Sequence, residues 1–205
     1  MQCDNRRSQQ CLRMYISNVC NMMEIRLRDR SNKARYEFRM VAREVTHEMY
    51  DVPEENQVLL AYPPERQTRG PSQITEQTQQ RSRSGGSRAQ QVACGALSFS
   101  LADPSITDAG SMFDSSFYNL ITFLFVKPDH QRKGVGRQLI QAALKHMAAH
   151  EPSRPVRVES ALGAAYFFEK LGFVRVGEPY ETVYSGARLF RSIVNMEHQA
   201  PRCDP

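Results

Sequence analysis

Residues 121–126, Ile-Thr-Phe-Leu-Phe-Val, form a short apolar, β-branched and aromatic run that Pro128 ends, the pattern of a strand covered on both faces. From Val135 the period changes. Leu139, Ile140, Ala143, Leu144 and Met147 then recur on one stripe, as in a helix packed on a sheet. A second stripe of Phe38, Val41, Ala42, Val45 and Met49 predicts a helix over Lys33 to Tyr50 that Pro53 stops. Upstream of the central run, Met23 to Arg28, Val58 to Tyr62 and Val92 to Leu101 read as strands. Downstream, Val156 to Glu159 reads as a strand. Ala161, Ala164, Ala165, Phe168 and Leu171 share a helical face after it, and Gly172 stands where a left-handed C-cap is wanted. Val174 to Val176 and Leu189 to Met196 read as the last strands, with Pro179, Tyr180 and Tyr184 in the loop between them. The order β-α-β-β-β-α-β-α-β-β shows no internal repeat and predicts one α/β (α+β) domain.

Composition changes this picture at a few places. A chain of 205 residues with 40% hydrophobic content can build one such domain over about 22–198. The first 21 residues, which hold Arg6, Arg7 and Arg13 without a continuous apolar core, read as a disordered tail rather than a signal peptide, and 199–205 as a C-terminal tail. No run is long enough to cross a membrane, so a cytoplasmic or nuclear location is expected. The net charge of +5 is unevenly placed: between 63 and 91 five arginines face two glutamates, in a stretch rich in Gln, Ser, Thr, Gly and Pro. That insertion buries too little apolar area to offset its ordering and is expected to be disordered. With no aromatic residue inside it, it does not argue for a nucleic-acid partner. Five widely spaced cysteines, with no C-x-x-C pair, read as free thiols. His146 and His150 lie one turn apart, on the helix face expected to point away from the core, and no metal site is expected.

The chemistry is concentrated between the central strand and its helix. Gln131-Arg132-Lys133-Gly134-Val135-Gly136 joins them, with Lys127 and Arg137 adding positive charge. Glycines at 134 and 136 let a ligand approach the backbone, and the unpaired N–H groups of the helix start, with the dipole behind them, favour a polyanion. A nucleotide P-loop would need Lys-Ser or Lys-Thr after the glycines, and none is present. A dinucleotide fold would need a third glycine where Leu139 stands; Glu159 meets its acidic spacing, so that reading is weakened without being excluded.

The spacing Q/R-x-x-G-x-G/A after a strand ending in V-x-P resembles motif A of the GNAT acetyltransferase superfamily. The segment ending Phe167-Phe168-Glu169-Lys170-Leu171-Gly172-Phe173 resembles its motif B, commonly written A-x-x-x-YEKLGF. Together they cover Leu120 to Phe173; with the weaker early elements the resemblance spans about Met23 to Glu197. It implies a mixed central sheet of about six to seven strands, helices on both faces, and a splay between the fourth and fifth strands. It also implies acetyl-coenzyme A as co-substrate, held by Gln131, Arg132, Lys133, Gly134, Val135, Gly136 and Arg137. Phe125 or Val126 would offer a backbone N–H to the oxyanion, and Phe168 would lie at the cofactor in the place of the family's usual tyrosine.

Acetyl transfer to an amine needs a base, an oxyanion donor and a proton for the departing thiolate. Three residues are candidates for the proton steps: Glu159 as base, and Tyr180 or Tyr184 as donor or pocket lining. The run 119–127 holds no carboxylate, Phe168 has no proton to give, and Ala161 replaces the family's asparagine. Tyr166 points about 160° away from Phe168 around a helix and is expected to pack. Glu159 could equally be a surface carboxylate or a partner of Arg157. Tyr36, His47, Glu48 and Tyr50 could border the acceptor or merely decorate a helix. The expected activity is acetyl transfer to a primary amine, whether a small amine, a protein lysine or a protein N-terminus. The alternative is an acetyl-coenzyme A-binding module without catalysis. Acceptor identity and oligomeric state are not legible.

Overall fold

A computed structural model describes residues 23–28, 31–64, 91–105, 114–181 and 192–199. The sequence expectations for both tails and for most of the basic insertion, and Tyr184, lie outside them. Seven strands, β1 (Glu24–Arg28), β2 (Gln57–Tyr62), β3 (Gly95–Ser100), β4 (Asn119–Val126), β5 (Val156–Ala161), β6 (Val174–Glu181) and β7 (Ser192–His198), form one sheet in the order β1-β2-β3-β4-β5-β7-β6. All neighbours are antiparallel except β4 and β5, the strands joined by a helical crossover.

Helix α1 (Asn32–Thr46) starts where the Ser31 side chain accepts from the Ala34 N–H, and lays Phe38, Val41 and Ala42 on one face of β2, β3 and β4. Helix α2 (Val135–His150) buries Val135, Leu139, Ile140, Ala143 and Met147 on the other face, beside the short α3 (Ala165–Glu169). The mixed sheet with helices on both faces is therefore as expected. No described helix is long and apolar enough to cross a membrane.

Three boundaries differ from the sequence reading. Helix α1 stops at Thr46, because His47 adopts a left-handed φ of 62° and returns its N–H to the Arg43 carbonyl, which leaves Met49 outside and exposed. The helix expected from Ala161 begins late: Ala161 still pairs with Ile193 in β7, one 3₁₀ turn follows at Leu162–Ala164, and α3 proper covers five residues. It ends as the sequence suggests, with Gly172 at φ 89° and the Phe173 N–H reaching back to the Phe168 carbonyl. Finally, Tyr180 lies on strand rather than in a loop. β6 resumes pairing past Gly177 and Pro179, with Tyr180 opposite Ile193 and Glu181 opposite Ser192.

The splay lies where expected. β4 and β5 pair at Asn119 with Val156, Leu120 with Arg157 and Ile121 with Val158, and then part. At the same level β4 carries a bulge, since Ser98 faces Phe123 and Phe99 faces Ile121, which leaves Thr122 as an extra residue. Ahead of this opening β4 pairs only with β3, and β5 only with β7, among the described residues.

Candidate functional site

Leaving β4, Lys127 donates its N–H to the Cys94 carbonyl and the chain makes one 3₁₀ turn at Pro128–His130. The Gln131 amide then folds back, Nε2 donating to the Val126 carbonyl at 2.9 Å, and so ties the turn to the end of the strand. Two left-handed residues follow, Arg132 at φ 57° and Gly134 at φ 82°, the second being the N-cap of α2 without any side-chain cap. The first helical bond runs from Gln138 N–H to the Gly134 carbonyl, so the N–H groups of Val135, Gly136 and Arg137 lie ahead of it. Gln131, Arg132, Lys133, Gly134 and Arg137 are exposed around them, and a sixteen-residue helix stands behind. A polyanion fits that arrangement through backbone donors, dipole and three cationic side chains.

The two glycines have different causes. A Cβ on Gly134 would meet only Gln138 Nε2, at an ordinary 3.9 Å, and what demands glycine there is its positive φ. A Cβ on Gly136 would lie 3.3 Å from Phe167 Cζ and 3.7 Å from Val126 Cγ2. Gly136 thus lets α3 close onto the start of α2, a contact that periodicity did not reveal. Lys127 points elsewhere than the turn: its ammonium is 2.5 Å from Glu44 Oε2 on α1, with the side chain 13% exposed.

Across the splay the second lip is β5. Val156 and Val158 face the α2 side, so Arg157 and Glu159 face the α1 side. Arg157 pairs with Glu197 at 2.9 Å and lies over the Tyr118 ring at 3.6 Å, which removes it as the expected partner of Glu159. Glu159, exposed, instead accepts a hydrogen bond from Tyr180 Oη at 2.6 Å. Two residues separated by 21 positions, each singled out by its chemistry alone, therefore meet at the open end of the sheet. Sequence reasoning missed the meeting because β7 inserts between β5 and β6, and Ala161 and Tyr180 register on the same residue, Ile193.

Phe125 is buried at 4% and packs on the α1 side, while Val126 faces α2. Phe168 is 5% exposed, its ring set edge-on to Phe167 and Phe173 in the α2-side core, and Tyr166 is 64% exposed where packing was expected. Tyr50 packs on the α1-side face of β4, 5.4 Å from both Phe123 and Phe125, and donates to Glu48 Oε2. Burial, with that carboxylate, pushes its phenol up. Tyr36 is exposed and His47 serves as the α1 cap. Burial also raises the Cys94 thiol, which is enclosed beside the Ala61 carbonyl.

The histidine pair is not simply superficial. His146 is half-buried with its ring 5.5 Å from Phe99, Nε2 is enclosed without a partner, and burial holds the imidazole below its usual proton affinity. Among the described residues no three His, Cys, Asp or Glu side chains gather as a metal-binding group.

Comparison with known proteins agrees with this geometry. Residues 102–188 match the acetyltransferase (GNAT) domain family. No curated protein matches in sequence. Escherichia coli ElaA is similar in structure at 15% identity and TM-score 0.57, over 87% of this chain and 100% of that one. The ribosomal-protein-S18-alanine N-acetyltransferase of Escherichia coli aligns at 12% identity and TM-score 0.57, over 89% and 97%. An acyl-CoA N-acyltransferase from Pseudomonas aeruginosa aligns at 16% identity and TM-score 0.55, over 86% and 99%. At these identities the structures speak for the fold. The motif-bearing stretch matches that domain family, and the splayed sheet shares its fold with these structures.

Proposed function

We propose that this protein transfers the acetyl group of acetyl-coenzyme A to a primary amine by direct attack in a ternary complex. The observation that carries the reading is the hydrogen bond from Tyr180 to Glu159 at the splay, opposite a turn built for a polyanion. The residues fit the co-substrate: Gln131 fixes the turn to β4, the N–H groups of Val135, Gly136 and Arg137 hold the pyrophosphate, and Arg132, Lys133 and Arg137 complement its charge. Phe125 or Val126 offers a backbone N–H to the oxyanion, which requires no particular side chain. Glu159 takes the proton from the attacking nitrogen. Tyr180 gives its proton to the departing sulfur and recovers one from Glu159, so the amine proton ends on the thiol. Tyr184 is the other proton donor in this reading. Phe168, without a hydroxyl, forms the apolar floor beside the thioester.

Phe168 also supports a second reading, an acetyl-coenzyme A-binding module without transfer, because the usual position of the acid is filled by a buried hydrocarbon ring. Calorimetric titration of acetyl-coenzyme A into the purified protein tests both, and absence of binding would remove both. Thiol release with a panel of primary amines and peptides then separates them. In the enzyme, Glu159→Gln lowers turnover by about 10²- to 10⁴-fold and leaves cofactor affinity intact. Unaltered turnover across pH would end the candidacy of Glu159 as base.

A further inference from the structure

The polar residue within the apolar run of β4 sits at the vertex of the splay. Thr122 is the bulged residue, directly after the last β4–β5 pair at Ile121. Its hydroxyl receives the Asn56 amide, Nδ2 to Oγ1 2.7 Å, lies 2.5 Å from Ser98 Oγ, and donates to the Ser98 carbonyl at 3.1 Å. Asn56 is 3% exposed and Ser98 0%, so two buried side chains commit themselves to the hydroxyl of one exposed residue. Buried polar groups are expensive unless satisfied, and here their satisfaction converges on Thr122. A threonine hydroxyl has one proton and two acceptor sites. With the proton given to Ser98 O, acceptance from Asn56 and from Ser98 Oγ uses all three. A saturated hydroxyl has no capacity left to relay a proton from an amine; what it can do is hold the strand.

What it holds is register. Ile121 faces the α2 side, and in an unbroken strand Phe123 and Phe125 would face that side too. With the extra residue they turn to the α1 side instead, stacked on each other at 5.8 Å and tilted against Phe38 and Tyr50, while Leu124 and Val126 take the α2 side. Backbone N–H groups alternate along a strand as side chains do. The same one-residue step therefore decides which amides between Phe123 and Val126 serve β3 and which face the opening.

We infer that Asn56, Ser98 and Thr122 are positioning residues for acyl transfer: their hydrogen-bond cluster locks the β4 bulge, and so aims the backbone amide at the mouth of the splay. The inference rests on the transferase reading. It leaves binding of the phosphates to the turn before α2, which the cluster does not touch.

Thr122→Val keeps the shape and deletes the hydroxyl, and Thr122→Ser restores it. Three quantities are measured on the full chain: acetyl-coenzyme A affinity by calorimetry, kcat and KM by thiol release with primary amines, and native-state amide exchange at Phe123–Val126. In Thr122→Val, kcat falls by about 10- to 100-fold, the scale of a small misplacement of reacting groups. Its cofactor affinity stays within about twofold, exchange at Phe123–Val126 speeds up, and Thr122→Ser recovers wild-type behaviour on every measure. If Thr122→Val does not fold, Ser98→Ala, which removes one contact and leaves Asn56 its acceptor, is expected to shift the same quantities the same way by less. Wild-type exchange and kcat in the folded variants, or a serine variant as impaired as valine, would overturn the inference. If the wild type releases no thiol, the transferase reading falls, and exchange alone decides whether the cluster holds the bulge.

Discussion

At the scale of single residues, the most consequential groups are those whose surroundings contradict their type. Periodicity places His146 on the outer side of its helix, yet it rests against Phe99 with an enclosed, unpartnered Nε2. Helical spacing gives direction only to within a face, and the covering residue comes from β3, far away in sequence. Burial lowers the proton affinity of His146, and His150 with its ring 4.3 Å away works in the same direction; burial also lowers that of His198 beside Phe173. The unfolded chain therefore binds more protons than the folded one as pH falls below about 6.5. The stability these histidines permit is full above that pH and is lost as pH falls through the window below it. Thermal unfolding between pH 7.5 and 5.5 should show a declining midpoint, with a shallower decline in His146→Leu. An identical slope in the variant would remove His146 from the account.

At the scale of elements, the sequence revealed much, because strands and helices report their own burial. The α2 stripe and the Gly172 cap reappear in the structure, and Gly134 is left-handed at the start of its helix. What was not legible needs two elements at once: the bulge that reverses β4, the pairing that carries β6 on to Tyr180, and the closure of α3 on α2 at Gly136. The last of these has a test. Gly134→Ala places a Cβ 3.9 Å from Gln138 Nε2, without a clash, at φ 82°, so its cost is backbone strain of about 1–2 kcal/mol. Gly136→Leu drives into Phe167 and Val126 and costs about 1–3 kcal/mol by overpacking. Phe167→Ala should recover part of the second loss and none of the first, a coupling that a double-mutant cycle by urea unfolding would expose. Equal coupling of both glycines to Phe167 would mean that α3 is not what Gly136 makes room for.

At the scale of the whole molecule, the sheet is two lobes hinged on a short parallel seam at Asn119–Ile121 and Val156–Val158, with α2 and α3 packed behind it. The candidate site draws on both lobes: the turn before α2 leaves β4, whereas Glu159 and Tyr180 belong to β5 and β6. A ligand lying in the splay binds the folded arrangement and has no counterpart in the unfolded chain. At a hundred times its dissociation constant it should therefore raise stability by about 2.7 kcal/mol. For a domain of this size that corresponds to about 5–10 °C in the unfolding midpoint. Acetyl-coenzyme A should give that shift at saturation. Dephospho forms that keep the pyrophosphate should retain most of it, and acetyl-pantetheine, which lacks the anion, should lose most of it. Because the turn acts through charge and backbone donors, the shift should shrink as salt rises, and Lys133→Ala should shrink it further. If acetyl-pantetheine proves as effective as the intact co-substrate, the polyanion assignment of the turn before α2 is wrong.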